Sequence, residues 1–567
     1  MTETNAREWL AQDPDAETRS ELEALLGDAS RSEELAERFR GSLQFGTAGL
    51  RGVLGAGPMR MNRVLVHKVS AGLGNYLADN LADSKERGVV IGYDGRHKSR
   101  VFAEDTAAVL LGLGFKVYLS TFVVPTPVVA FGVTHYGAAA GVMVTASHNP
   151  PEYNGYKVYW ENGAQIIPPQ DSGIAEAIAA IGTIDKLALG DLAAARAAGS
   201  LVDIDDDMVG LYLDGVQTLA LHPGVLAKTP LTVAYTAMHG VGARFVRAAL
   251  ETAGVARVHI EPLQEQPDGD FPTVAFPNPE EAGAMDLVFA LAKKVGADLV
   301  MANDPDADRL AVALPTGDGY AMLSGDQVGV LLADYLLSEG PTDDRRMVAT
   351  TLVSSQLLGI IAKDRGVDYK TTLTGFKWIA NAAIDARRDD NSRFVMGYEE
   401  ALGYSIGELV RDKDGVSAVA IFCELAALAK SKGSTVQERL DALYRKHGVF
   451  QTLQKSLVLP GADGKAQITA HMKRFRDEPP TSLGGFSIVE SHDLASGGMG
   501  LPASDVLVYF LEGNRRVIMR PSGTEPKLKC YYEVCEPVVE GEAVGEARER
   551  AAAQVAALSA AHQAMLA

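Results

Sequence analysis

From residue 41 to about 200, short apolar runs alternate with helical ones, and this alternation leaves few architectures open. Val64–Ala82 has a helical pattern, Gly88–Tyr93 reads as a strand, Ser99–Leu113 as a helix and Lys116–Ser120 as a strand. The series continues through Ala138–Thr145 and Tyr156–Tyr159. Strands joined by helices form a largely parallel sheet covered on both faces. A second such unit opens at Leu231–Tyr235, with strands at Arg257–Ile260 and Asp298–Ala302. A third has strands at Met347–Leu352 and Phe394–Met396. The last differs, with strands near Val506–Tyr509, Arg516–Met519 and Lys527–Val534, then an alanine-rich helix. The fold class expected is α/β: three similar mixed α/β domains plus a smaller α+β C-terminal domain. Expected boundaries are 41–205, 206–318, 319–446 and 447–567, after a helical extension over 1–40. That extension breaks at Pro14 and carries a stripe of Leu22, Leu25, Leu26, Leu35 and Phe39, as a scaffold packed on the body would.

The 53 basic and 73 acidic residues give a net charge of −20. This argues against a general nucleic-acid or anionic-membrane binder and leaves room for a local basic pocket. Three cysteines in 567 residues fit a reducing compartment, with Cys530 and Cys535 as buried thiols. The start, Met1-Thr2-Glu3-Thr4, is not a signal peptide, and no apolar run approaches membrane-spanning length. A cytoplasmic protein is expected. The run Asp203–Asp207 is either solvated or caps the helix from Met208. Gly240-Val241-Gly242-Ala243-Arg244-Phe245 has Phe where a dinucleotide loop needs its third Gly, and the neighbouring His239 reads as structural.

Five stretches carry chemistry. Ala138–Val144 ends in Thr145-Ala146-Ser147-His148-Asn149-Pro150, which places Ser147 just past a strand end, where open α/β sheets bind ligands. Ser147 is either a nucleophile or a turn-bonding serine. Leu299–Ala302 ends likewise in Asn303-Asp304-Pro305-Asp306-Ala307-Asp308-Arg309. Three carboxylates at alternate positions can converge on a hard cation such as Mg²⁺. Arg520-Pro521-Ser522-Gly523-Thr524-Glu525-Pro526-Lys527 combines a guanidinium, hydroxyls and a glycine, the composition of a phosphate cradle. Gly397-Tyr398-Glu399-Glu400-Ala401-Leu402-Gly403-Tyr404 offers two carboxylates to sugar hydroxyls, or else starts a helix. Thr374-Gly375-Phe376-Lys377-Trp378 and Arg411-Asp412-Lys413-Asp414-Gly415 accompany it. Phe45-Gly46-Thr47-Ala48-Gly49-Leu50-Arg51-Gly52 is Gly-rich and contains an arginine.

In this order, these stretches resemble the α-D-phosphohexomutase superfamily, the phosphoglucomutase/phosphomannomutase enzymes, over about residues 40–535. The resemblance implies four domains around a central cleft. It implies a phosphoserine at Ser147, and Mg²⁺ on Asp304, Asp306, Asp308 and the Ser147 phosphate. Arg51 and His148 are then expected near the transferred group, with Lys157 and Lys413 as alternative proton carriers. Gly375, Phe376, Lys377, Glu399, Glu400, Arg309, Arg520, Ser522, Gly523, Thr524 and Lys527 are the implied substrate-binding residues. The implied reaction moves a phosphoryl group between the 1- and 6-positions of a hexose, by way of a sugar 1,6-bisphosphate intermediate and activator. Glucose phosphates are expected first, with mannose and pentose phosphates as close competitors. A phosphopentomutase, a sugar-bisphosphate synthase fed by an acyl phosphate, and a silent sugar-phosphate binder are the alternatives. The stretches 154–166 and 399–404 look closest to the phosphoglucomutase 2-like branch. Ala401 stands where the family commonly has Ser, so a hydroxyl that would bond the sugar is missing. The partner expected is a small phosphosugar, with no nucleic acid or membrane, on a monomer or homodimer.

Overall fold

The structure, a computed structural model, describes residues 2–44, 49–459, 464–522 and 527–566. Gly523 and Thr524, named above, lie outside the described residues. The chain divides into two units, Met1–Leu323 with Gly403–Ala427, and Ser324–Leu402 with Leu428–Ala567.

The first unit holds two sheets. One contains β1 (Leu50–Val53), β2 (Val89–Tyr93), β3 (Val117–Ser120), β4 (Ala140–Val144), β5 (Tyr153–Trp160) and β6 (Leu201–Ile204), in the order β1-β5-β4-β2-β3-β6. Its centre is parallel, as the alternation predicts: β2 pairs with β3 and β4, and β3 with β6. Its rim is not. β5 runs antiparallel to β4 and β1, because residues 145–152 are too few for a crossover and the chain must double back. β5 therefore starts at Tyr153, earlier than the sequence pattern suggested, and sets Lys157 beside Met143. Val89 and Ile91 face the helices Arg63–Asn80 and Ser99–Gly112, in one core with Leu65, Leu73, Phe102 and Leu110. The alternate positions, at Val90 and Gly92, meet the helix Thr126–Tyr136 through Gly132 and Val129.

The second sheet repeats this logic with β7 (Thr232–Thr236), β8 (Arg257–Ile260), β9 (Leu299–Ala302), β10 (Ala311–Pro315) and β11 (Tyr320–Met322), in the order β11-β10-β9-β7-β8. β7 is parallel to β8 and β9, and β10 returns antiparallel to β9 after the short loop 303–310. The loops that follow β4 and β9 are thus the same kind of object, a tight reversal at the carboxyl end of a parallel strand.

The N-terminal helices Thr2–Gln12, Ala16–Gly27 and Ser32–Arg38 bury Leu22, Leu25 and Leu35 against Ala56, Val64 and Ile184. Glu21 accepts from the Ala56 N–H (2.8 Å) and pairs with Arg38 (2.6 Å), and Lys98 pairs with Asp15 (3.0 Å) and Glu17 (2.6 Å). Asp205 caps the helix Asp206–Gln217, accepting from the Asp207 N–H, so the acidic run acts as a cap.

In the second unit, β12 (Arg346–Thr351) lies between β13 (Asp368–Thr372) and β14 (Arg393–Glu399), parallel to both. The next strand, β15 (Gly403–Ile406), belongs to the first unit, where Gly403 bridges to Arg309. Glu399 therefore ends a strand and Glu400 lies in a turn, so the stretch is not a helix start. The rest is an antiparallel sheet of β16 (Val449–Val458), β17 (Ser482–Leu483), β18 (Phe486–Asp493), β19 (Leu507–Leu511), β20 (Arg515–Pro521) and β21 (Lys527–Glu536), ordered β16-β21-β20-β19-β18-β17. Cys530 is buried and Cys535 only half-buried. Among the described residues, no helix is long and apolar enough to cross a membrane.

The C-terminal helix Val544–Leu566 packs through Val544, Ala547, Ala551, Val555 and Leu558. It also buries His562, whose Nδ1 lies 2.8 Å from Tyr532 Oη, which in turn accepts from Gln563 Nε2 (2.7 Å). Burial holds the imidazole pKa down to about 4. The unfolded chain takes up a proton near pH 6.5 that the folded chain refuses, so stability falls as pH drops from 6.5 towards 4. His562→Gln should flatten that slope, sparing up to about 3 kcal/mol at pH 4 relative to the parent. Urea denaturation of both proteins at pH 7 and pH 4.5 measures it, and parallel slopes would remove His562 as the cause.

Candidate active site

Ser147 stands on the turn after β4, buried at 3% exposure, with a left-handed φ of +51°. A non-glycine residue in that region costs about 1–3 kcal/mol, and such strain persists where neighbours over-determine it. Thr145 Oγ1 accepts from the Ser147 N–H (2.8 Å), and its own hydroxyl donates to Asp94 Oδ2 (2.6 Å). Ser147 Oγ donates to Asp304 Oδ2 (2.8 Å) and lies 3.2 Å from His148 Nδ1.

Asp304, Asp306 and Asp308 are all buried on the turn after β9, with ligand oxygens within 4.8 Å of one another. Thr126 ties that turn down, its N–H reaching the Asp306 carbonyl (2.9 Å) and its hydroxyl Asp306 Oδ2 (2.7 Å). Lys157 Nζ donates to Asp306 Oδ2 (2.7 Å) and Asp308 Oδ2 (2.9 Å), and Lys413 Nζ stands 3.3 Å from Asp308. Among the described residues, the buried Asp306 Oδ1 and Asp308 Oδ1 have no hydrogen-bond partner, Arg309 Nε standing 3.9 Å from the latter. Orphaned buried carboxylate oxygens are rare in folded proteins, and two of them beside a third carboxylate and a serine hydroxyl suit a hard cation.

The charges here are strongly shifted. Burial and the charges of Asp306 and Asp308 push Asp304 well above the usual carboxylate range. Burial acts on Asp306 in the same sense, but the Lys157 ammonium and the bonds from Lys157 and Thr126 outweigh it and hold Asp306 far below. Burial alone would lower Lys157; Asp306 and Asp308 reverse this and raise it. Burial, with Arg309 and Arg51 nearby, keeps His148 well below its ordinary value. Arg51 is lowered to about 10 by burial and donates to Asn149 Oδ1 (2.6 Å).

Lys413 is delivered by two close approaches. A Cβ on Gly415 would lie 2.4 Å from the Arg309 carbonyl, and one on Gly403 would lie 2.3 Å from Lys413 Cδ. Asp412, buried, accepts on Oδ2 from Tyr159 Oη (2.7 Å) and Gln165 Nε2 (2.6 Å), and on Oδ1 from the Lys413 N–H (2.8 Å).

The first unit thus gathers Ser147, His148, Arg51, Lys157, Arg309, Lys413 and the three aspartates. Gly375, Phe376, Lys377, Glu399, Glu400, Arg520, Ser522 and Lys527 lie in the second unit. There, the Gly375 N–H donates to Glu399 Oε1 (2.8 Å), while Glu400 Oε2 accepts from Ser354 Oγ (3.0 Å) and Thr351 Oγ1 (3.3 Å). Both glutamates are half-buried and engaged rather than fully exposed. Phe376 is buried in the core with Met347, Ile379 and Phe394. The Ser522 N–H bonds the Lys527 carbonyl (2.8 Å), closing the β20–β21 hairpin. Sequence reasoning gave no role to Thr126, Arg96 or Asp412. Asp94-Gly95-Arg96, directly after a predicted strand, was the available signal for Arg96.

Sequence models for all four parts of one family match the chain: phosphoglucomutase/phosphomannomutase alpha/beta/alpha domain I over 42–185, domain II over 211–317, domain III over 324–447 and the C-terminal domain over 487–551. The chain belongs to the phosphoglucomutase/phosphomannomutase family. A probable phosphomannomutase of Haemophilus influenzae is 41% identical over 480 residues, 84% of this chain and 93% of that one. A probable phosphoribomutase of Schizosaccharomyces pombe is 40% identical over 557 residues, 92% of each chain. The open form of the Paramecium phosphoglucomutase parafusin is similar in fold, with a TM-score of 0.69 at 19% identity, covering 92% of this chain and 95% of that one. As a phosphoglucomutase/phosphomannomutase family member the protein is a phosphosugar mutase, an isomerase that transfers phosphoryl groups.

Proposed function

We propose that this mutase interconverts the 1- and 6-phosphates of a hexose, glucose first, with Ser147 as its phosphoryl store. The observation that carries the reading is the Ser147 Oγ–Asp304 contact beside two unbonded carboxylate oxygens. Asp304, Asp306, Asp308 and the serine phosphate would hold Mg²⁺, which would withdraw charge from the group in transfer. The phosphoserine gives its phosphoryl to the free hydroxyl of a sugar monophosphate. The resulting bisphosphate turns round and returns its other phosphate to Ser147. Arg51, Arg309 and Lys157 are cations placed to stabilise charge on the moving group. Lys157 is held protonated by Asp306 and Asp308, which favours that task over accepting a proton. Lys413 and the neutral His148 are then the proton-carrier candidates. Arg520 and Ser522, with Gly523 and Thr524, would hold the phosphate that is not reacting, and Glu399 and Glu400 the sugar hydroxyls.

A pentose phosphate is the second reading, favoured by Ala401 in the sugar loop and by the likeness to a probable phosphoribomutase. Turnover of glucose, mannose, N-acetylglucosamine, ribose and deoxyribose 1-phosphates, compared with Mg²⁺ and a trace of bisphosphate, decides between them. Glucose 1-phosphate is expected to be fastest. Equal or faster pentose turnover sinks the glucose preference, and a strict need for an acyl-phosphate donor would favour the synthase. Chelation should lower the rate at least about 100-fold, and Mg²⁺ should restore it.

A further inference from the structure

Arg96 makes bonds of an unusual kind for a buried guanidinium. It is 4% exposed, in the turn after β2, and its hydrogen-bond partners are main-chain oxygens. Nη1 donates to the carbonyls of Pro150 (2.8 Å) and Tyr153 (3.2 Å), and Nη2 to those of Ser147 (2.6 Å) and Asn149. The carboxylate nearest it, Asp94, stands 3.5 Å from Nε and accepts from the Arg96 N–H (3.1 Å) and Ser99 Oγ (2.7 Å). The guanidinium also lies over the Phe271 ring, its Cζ 4.9 Å from the ring centre.

These bonds draw three carbonyls of one loop, and that of Tyr153 where β5 begins, around a single rigid fork. The loop is the one that carries Ser147 in its left-handed conformation. Asp94 takes part from the other side, through Thr145 Oγ1, which holds the Ser147 N–H. The serine is thus fixed at both its N–H and its C=O by the turn 94–96, while its Oγ is left for Asp304. Removing one carbonyl bond would let the peptide after Ser147 rotate and carry Oγ off Asp304. Burying a guanidinium is unfavourable unless its donors find acceptors, and here both terminal nitrogens find theirs on this stretch of main chain, while Nε has no hydrogen-bond partner among the described residues and stands 3.5 Å from Asp94.

We infer that Arg96 is a positioning residue for the nucleophile: it holds the Ser147 backbone in the conformation that presents Oγ to the aspartate cluster. It touches neither substrate nor the reacting atoms and acts through the loop. The inference rests on the reading of Ser147 as the phosphoryl store.

The test uses the full-length enzyme with Arg96→Ala, Arg96→Lys, Thr145→Val and Ser147→Ala. Lysine keeps the charge but lacks the fork that spans four carbonyls. For Arg96→Lys, kcat is expected to fall about 100-fold with KM within about threefold of the parent, because an ill-placed nucleophile loses rate rather than ground-state binding. Phosphate on intact Ser147, read by mass spectrometry, should drop with it. Thr145→Val should show the same split to a smaller degree, and it serves if Arg96→Ala does not fold. Parent-like kcat in Arg96→Lys overturns the proposal, as does a raised KM with kcat kept, which would make Arg96 a binding residue. If Ser147→Ala retains parent turnover, the serine reading fails and the proposal with it; if Ser147→Ala is dead and Arg96→Lys is parent-like, only the positioning role fails.

Discussion

Ser147→Ala should abolish mutase turnover, by roughly four orders of magnitude or more, while leaving the fold intact. The side chain is small, and removing Oγ deletes one bond to Asp304 and one near contact with His148. Among the described residues, no other hydroxyl in the first unit's cluster replaces it. Thr126 Oγ1 is committed to Asp306, and Thr145 Oγ1 to Asp94 and the Ser147 N–H. The variant should also carry no phosphate after incubation with sugar bisphosphate, whereas the parent should gain one on the peptide containing residue 147. Turnover within tenfold of the parent would show that the phosphoryl group takes another route.

The second large effect concerns stability. Glu533→Ala should destabilise the second unit by about 3–5 kcal/mol, because it strands a buried cation. Glu533 is 1% exposed and accepts from Ser355 Oγ (2.6 Å), the Gln356 N–H (2.9 Å), Gln356 Nε2 (3.0 Å) and Arg516 Nη2 (2.9 Å). Arg516 in turn donates to the carbonyls of Leu352 (2.7 Å) and Ser354 (2.5 Å). Truncating the glutamate leaves a guanidinium and three other donors without their acceptor. The double variant Arg516→Met with Glu533→Leu should recover much of the loss, since the uncompensated charge is then gone. Hydrogen exchange over β20 and β21, with denaturant midpoints, measures both. A double variant as unstable as the single one would show that the pair contributes by packing rather than charge.

The parts of this fold that were legible in the sequence are those buried on both faces. β2, β4 and β9 read as unbroken apolar runs, β7 as a short apolar run between two threonines, and every residue in them is buried. β16 and β18 left no such trace. Gln451, Thr452, Gln454 and Lys455 sit in a strand with a solvated face, as do Glu490 and His492. For the site, the chemistry of Ser147 and the three aspartates could be read from residue type and position at strand ends. Lys157 came only from the family resemblance, since its place depends on β5 turning back along β4. Arg96 offered only its place after a predicted strand, and its role could not be read, because it works on main-chain oxygens, which every residue has. The Glu399–Glu400 stretch failed as a possible helix because the chain continues straight into another strand, β15.

The pairing of β16 with β21 has a consequence for the birth of the protein. Val449 lies opposite Glu536 and Val458 opposite Lys527, so the earliest strand of this sheet has as its neighbour the latest one. Among the described residues, β16 is also a border strand, with no other partner in the sheet. On a ribosome it emerges well ahead of the segment that will hydrogen-bond it, and it must wait, unpaired, through the synthesis of β17 to β20. Contacts so distant along the chain slow folding, and an unpaired strand is an invitation to association with other chains. The polar side chains that hid β16 from sequence reading, Gln451, Gln454 and Lys455 among them, are what keeps such a strand soluble during that wait.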